Sequence, residues 1–242
     1  MEKRRPRAQH FPAKIGSQPS RRIFRIRNGK STARVLRPYN SAVSRLLADK
    51  RVLVLGAETE IGRAVTSAVA EGGASVAAVA TTSAAEAAFA VQRLARRLSS
   101  GGRKVIAQAI DATNEAAVRV MVRQVSKELG GLDVVVWCAA PKAYEPADWD
   151  DVSQWMERAF GVHRVVAPLA AKELDRSGGG SYLVVWPGWV GSRKWVSATT
   201  TADWPASRKW NWSSVDLGAE TKTLETIAAD VLRAIAGDAD SG

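Results

Sequence analysis

The chain has 242 residues, 46% of them hydrophobic and 24% charged, proportions ordinary for a globular protein. That length suits one sizeable α/β domain, or a domain with a tail. No apolar run approaches the roughly 20 residues that span a bilayer, and the N-terminus lacks the apolar stretch of a secretory signal. A single cysteine, Cys138, excludes an intrachain disulfide and fits a reducing compartment.

The net charge of +11 is unevenly placed. Residues 1–51 hold 15 Lys and Arg against 2 Asp and Glu, and the remaining 191 hold 20 against 22. The chain therefore reads as a near-neutral domain behind a basic segment. Residues 1–44 contain Pro6, Pro12, Pro19 and Pro38 and no sustained helical period, so the expectation is a largely disordered extension, with 45–242 as the folded domain. The segment reads first as a solvated tail, or as sequence added by an upstream start. It is also Arg-rich and acid-poor, as organelle-targeting peptides are, although "MEKRRPR" makes a poor amphipathic helix. Its arginines could also contact a polyanion, a reading second to the solvated tail. A cytoplasmic location is expected, or an organellar one if the extension is a targeting peptide.

From residue 51 the pattern becomes regular. Strand Val52–Leu55 runs through Gly56 into a turn and a helix whose Ile61, Ala64, Val65, Ala68 and Val69 share one face. Gly72 or Gly73 can take a left-handed C-cap. Strand Ser75–Ala80 follows, then an Ala-rich helix from about Ala84 to Leu98 and strand Lys104–Ile110. Thr113 can N-cap the next helix, which Gly130 and Gly131 stop after Leu129. "LDVVVW" is an apolar run of the kind buried on both faces of a parallel sheet. A long helix, about Trp149 to Leu174 with Pro168 inside it, leads to the strand "SYLVVW" at 181–186. "WNWSSVDLG" reads as a sixth strand, and "TLETIAADVLRAIAG" as a closing amphipathic helix. Strands alternating with helices through short Gly-rich joins predict a Rossmann-type, doubly wound parallel sheet in the order 3-2-1-4-5. Ligands of such sheets bind at the strand C-terminal edge.

"GAETEIG" at the first turn, Asp111 in "IDATNEAAV", "GGLDVVVWCAA" and "SYLVVWPGWVG" occur in that order. Together they resemble the short-chain dehydrogenase/reductase family over about residues 48–192. The resemblance implies a Rossmann-type domain and hydride transfer between NAD(P) and an alcohol or carbonyl. It also implies cofactor contacts at Gly56, Glu60, Ile61, Gly62, Thr81, Asp111 and Ala139. Several of these depart from the family pattern. Glu60 stands where a third glycine lets the backbone approach pyrophosphate, so it brings crowding and like charge. At an empty helix start, the same glutamate would simply favour the helix dipole. "ATTS" after the second strand offers hydroxyls but no charge, and Trp137 replaces a small polar amide. Dinucleotide binding is therefore expected to be weak or absent. Asp111 also suits a local turn and cap.

The family reaction implies a tyrosine acid/base, a lysine four residues on and a serine. The tyrosines are Tyr39, Tyr144 and Tyr182, and none has a lysine four residues later. "WPASR" is the nearest match, placing Trp204 and Arg208 at the tyrosine and lysine positions, with Gly188 at the serine and Arg158 near the asparagine. An indole N–H is not a practical proton donor, and a guanidinium stays protonated. His10 and His163 lack metal-ligand spacing, so no metal is expected. The chain is also short beyond Arg208 for the family. Six of the nine tryptophans (186, 189, 195, 204, 210 and 212) fall near the end, among Arg193, Lys194, Arg208 and Lys209. They read either as filling for a C-terminally shortened domain or as a partner surface over 186–212. The leading expectation from the residues is a domain that has lost its chemistry and serves binding, scaffolding or regulation. The alternative is an NAD(P)-dependent oxidoreductase with atypical catalytic residues.

The basic extension generates the first prediction. Limited proteolysis should remove residues 1–44 and leave a domain with unchanged thermal melting, and any polyanion binding by the full chain should fall steeply with salt. Protection of the segment in the free protein would refute this.

Overall fold

The computed structural model describes residues 46–138, 149–186, 209–216 and 222–237. The expected extension over 1–44 lies outside them. The strands are β1 (Arg51–Leu55), β2 (Ser75–Ala80), β3 (Val105–Ala109), β4 (Val134–Trp137), β5 (Gly180–Trp186) and β6 (Trp210–Asp216). The helices are α1 (Glu60–Glu71), α2 (Ala85–Ser99), α3 (Glu115–Leu129), α4 (Trp149–Arg176) and α5 (Leu224–Ala236).

All six strands form one sheet in the order β3-β2-β1-β4-β5-β6, and every pairing is parallel. Period-two alternation of side chains in the central strands builds two cores at once. Val52 and Val54 face one layer with Ile61, Val65 and Val69 of α1, Leu94 of α2 and Val231 of α5. Leu53 and Leu55 face the other with Val118, Met121 and Val125 of α3 and Val166 and Leu174 of α4. Helices thus cover both faces, as the continuous apolar runs require. The order reverses between β1 and β4, which puts the switch point of the sheet beside the C-terminal end of β1.

Small differences from the sequence reading have local causes. Asn114, not Thr113, caps α3, its side chain accepting from the Ala117 amide at 3.2 Å. Thr113 is held back by Asp111, whose Oδ1 accepts from both the Thr113 amide (3.0 Å) and its hydroxyl (2.6 Å). Gly72 ends α1 in a right-handed conformation, and Gly73 takes the positive φ of 96°. Ala64 and Ala68 are only partly buried, while Thr66 and Ala70 complete the inward face of α1.

At the N-terminal edge of the sheet Arg51 and Asp133 form a two-pronged pair. Arg51 Nη2 donates to Asp133 Oδ1 at 2.7 Å, and its Nε and backbone N–H both donate to Oδ2 at 2.8 Å. The hydrogen bonds from Arg51 hold the Asp133 carboxyl below its usual pKa. This clamp joins the starts of β1 and β4 and sets their register.

At the opposite end of β1 the start of α1 packs closely on the strand end. A Cβ added to Gly62 would sit 2.0 Å from the carbonyl oxygen of Gly56 and 2.9 Å from Ala57 Cα. Both obstacles are backbone. Alanine gains about 1 kcal/mol over glycine inside a helix, but relieving this overlap requires moving α1 bodily, at a cost of about 3 kcal/mol. The clash wins. Gly62→Ala should therefore lower the unfolding free energy by about 2 kcal/mol or more, checked by urea denaturation; an unchanged or raised midpoint would refute the argument.

Candidate functional site

The β1–α1 turn builds the candidate site. Gly56 leaves β1 at φ 83°, a conformation that L side chains resist. The Gly56 and Ala57 amides both donate to Val79 O, at 3.0 and 3.1 Å, which ties the turn to β2. Thr59 is the N-cap of α1: its Oγ1 accepts from the Gly62 amide at 2.9 Å and donates to Gly56 O at 2.8 Å. One threonine thus satisfies one of the amides that a helix start leaves open and closes the turn. The remaining first-turn amides and the helix dipole make this end suited to an anion.

Glu60 is the first residue of α1 and is partly exposed. Ile61 is buried, and only its backbone belongs to the turn. The neighbouring Glu58 does something that the sequence reading missed. Its Oε1 accepts from the Thr81 amide at 3.0 Å and from the Thr81 hydroxyl at 2.5 Å. Its Oε2 is buried and has no hydrogen-bond partner among the described residues. A carboxylate is thereby delivered from the first turn to the end of β2, where the sequence showed hydroxyls and no charge. The signal was the pairing of an acid on one turn with a hydroxyl residue 23 positions later, visible only once β1 and β2 lie side by side.

Asp111, just beyond β3, is exposed, and both bonds from Thr113 lower its pKa. It serves the local turn weighed above. Ala139, Gly188, Trp204 and Arg208, with most of the 186–212 region, lie outside the described residues.

Beneath the edge lies an aromatic cluster. Trp137, the last residue of β4, is buried, and its ring meets His163 of α4 edge-on at a centroid distance of 5.5 Å. His163 in turn meets Tyr182 of β5 at 5.7 Å. Trp137 therefore fills the core below the switch point instead of blocking the cleft above it. Tyr182 is completely buried, and burial pushes its phenol pKa up, so it is no candidate for the missing acid/base. Cys138 is likewise buried, its thiol pushed up by burial first and by the Glu58 charge second. Among the described residues there is no group of three metal-ligating side chains, and no helix is long and apolar enough to cross a membrane.

A doubly wound parallel sheet with a glycine-bounded, threonine-capped turn at its switch point defines a Rossmann-type nucleotide-binding architecture. A family model described as short chain dehydrogenase matches residues 50–185. This chain belongs to the short-chain dehydrogenase family of oxidoreductases. It is 31% identical over 117 residues to the uncharacterized oxidoreductase YghA of Escherichia coli, a stretch covering 48% of this chain and 39% of that protein. The matched stretches cover between 9% and 39% of the lengths of its curated relatives. Its structure is similar to a short chain dehydrogenase from Mycobacterium smegmatis, with a TM-score of 0.61 at 21% identity, covering 82% of this chain and 90% of the other. It is also similar to a short chain dehydrogenase from Burkholderia cenocepacia in complex with NADP, with a TM-score of 0.58 at 21% identity, covering 78% and 91%. At that identity the two structures carry the fold. The family match supports the oxidoreductase alternative better than the scaffold expectation drawn from the altered motifs.

His163 supplies a pH prediction. Desolvation lowers its pKa from the usual 6.5 to about 4, and its Nε2 has no partner among the described residues. The folded chain thus keeps the imidazole neutral while the unfolded chain takes a proton below pH 6.5. The resulting stability is fully present above pH 6.5 and is lost as pH falls towards 4, by about 3 kcal/mol in total. His163→Phe should flatten this part of the acid loss, read as the difference between wild-type and variant melting temperatures from pH 7 to 4.5. A constant difference would refute the assignment.

Proposed function

We propose that the chain is an NAD(P)-dependent short-chain oxidoreductase acting on an alcohol or carbonyl substrate, with catalytic residues outside the usual Tyr–Lys motif. The observation that carries this reading is the β1–α1 turn, whose glycine-bounded, threonine-capped helix start suits an anion. Gly56 and Gly62 hold the helix start against the strand end, and Thr59 caps it. Glu58 closes the turn against the end of β2, its Oε1 accepting from the Thr81 amide and hydroxyl at 3.0 and 2.5 Å. The complex of the Burkholderia neighbour with NADP supports the same cofactor class.

On this reading Gly56, the α1 amides and Thr59 would receive the pyrophosphate, and the adenosine ribose would lie by Thr81, which Glu58 holds. When bound, the nicotinamide supplies or accepts the hydride. The protein's own work is then to orient the dinucleotide along the sheet edge, keep water from it and provide a proton donor for the carbonyl oxygen. That donor is not a Tyr–Lys pair at Trp204 and Arg208, nor the buried Tyr182. Glu60 works against affinity through its charge beside the phosphates. Glu60→Gly should therefore tighten binding.

The test is a titration of the full chain with NADH and NADPH, followed by a screen of alcohols and carbonyls monitored by nicotinamide absorbance. Saturable binding together with turnover abolished by a substitution in the cleft supports the proposal. Binding without turnover across the screen would return the chain to the non-catalytic reading that Trp204 and Arg208 first suggested. No binding at all would reject both the cofactor and the reaction.

A further inference from the structure

One side of the sheet is left open. β3 is the last strand in the order, and among the described residues it pairs on one side only, with β2. Its backbone alternates. The Lys104 carbonyl accepts from the Val76 amide at 2.9 Å, and the Ile110 amide donates to Ala80 O at 3.1 Å. Even-numbered residues therefore bond β2, and Val105, Ala107 and Ala109 turn their N–H and C=O groups outward. Such an edge is a template for another strand, and proteins commonly blunt it with a charge, a proline or a bulge. The stretch "VIAQAI" at 105–110 has no charge and no proline, and its register with β2 is unbroken from Val105 to Ala109. Every residue of β3 is only partly buried, whereas β2 is buried from Val76 to Ala80.

The helices beside this edge extend its apolar surface. Phe89 on α2 and Val120 on α3 are each 63% exposed, and α2 packs chiefly on β3. On the other face, Gln108 and Ile110 of β3 and Ala117, Val120 and Met121 of α3 line an open groove of about 400 Å³. Charge is confined to the two ends of the strand, where Arg103 and Lys104 precede it and Asp111 follows it. Lys104 is held by the Glu128 carbonyl. Arg103 and Asp111 form no ion pair among the described residues.

An apolar strand with a basic start and an acidic end is complementary to itself when reversed. We infer that the β3 edge is a self-association surface, on which a second copy of this chain pairs its own β3 antiparallel across a twofold axis at Ala107. In that register Ala107 faces Ala107 and Val105 faces Ala109. All are outward-turned residues, so their amides and carbonyls bond across the axis. Arg103 of each copy falls opposite Asp111 of the other, and Ile106 falls opposite Gln108, beside the apolar groove. In-register parallel pairing would instead set like charges together, which disfavours it. The twofold repeats each contact, as a closed dimer requires.

Sedimentation velocity of the full chain from about 1 to 200 µM should show a reversible monomer–dimer equilibrium, since a one-strand interface is at the small end of specific contacts. Hydrogen exchange of the Val105, Ala107 and Ala109 amides should slow at least about fivefold from the dilute to the concentrated end, while Ile106 and Gln108, bonded to β2, stay constant. Arg103→Asp sets two carboxylates together and Asp111→Lys two cations, so each variant alone should associate at least about tenfold more weakly. An equimolar mixture of the two should recover wild-type association, because the mixed dimer again opposes unlike charges at both ends. Thermal melts establish that each variant is folded; if Asp111→Lys is not, Val120→Glu must weaken association in its place. A wild type that stays monomeric across the range overturns the inference. So does a dimer that leaves the three outward amides exchanging at their dilute rate, or protection of those amides already in the monomer. Folded variants that associate like wild type, or a mixture that stays monomeric, overturn it as well.

Discussion

Everything at the ligand edge depends on how closely α1 can approach the end of β1. The missing side chain of Gly62 lets the helix start directly over the Gly56 carbonyl, where a Cβ would be 2.0 Å from oxygen. That proximity allows Thr59 to reach both Gly56 O and the Gly62 amide with one hydroxyl. It also brings Ile61, Val65 and Val69 down onto the sheet beside Val231 of α5. Raising the helix enough for a methyl group would loosen the cap, the turn and one of the two cores together. The turn is thus a packing solution first, and its suitability for an anion follows from the helix end that this packing exposes.

Two glutamates on that turn act in different directions. Glu60, at the helix start, favours the dipole and opposes a phosphate. Glu58 is folded back onto Thr81 and points its charge at the adjoining strand end, away from the phosphate path. A residue-by-residue comparison with the family pattern registers only the first, because it occupies a glycine position. The second is visible only in the fold, where it holds Thr81 through two hydrogen bonds. The same distinction applies to Trp137. As a letter in the sequence it crowds the cofactor; in the fold its ring goes under the sheet edge, against His163.

The architecture was legible because its determinants are local and repeated. Period-3.6 stripes, apolar strand runs and glycine punctuation gave the eleven elements among the described residues, five strand positions in order, and the sixth strand at Trp210–Asp216. The cap of α3 was misplaced by one residue because Asp111 competes for Thr113 through a turn that composition alone does not rank. The site was less legible for a related reason. Glu58 and Thr81 become neighbours only through parallel pairing of β1 with β2, and nothing in the spacing of two residues 23 apart announces a shared hydrogen bond. The burial of Tyr182 also followed from its strand, and it removes that phenol from the chemistry in a way that a motif search cannot.

The Arg51–Asp133 clamp has a consequence for how such a domain can change over generations. Its three bonds at 2.7–2.8 Å fasten β1 to β4 at the end of the sheet farthest from the turn. A slip of one residue would turn every side chain of a strand to the opposite layer, and this anchor opposes such a slip without drawing on any residue of the ligand edge. Mutations at that edge can then accumulate while the strands stay aligned. A lineage built this way can exchange glycine for glutamate, or amide for indole, and still inherit the same scaffold. The altered letters at positions 60 and 137 are the kind of drift that an anchored sheet tolerates.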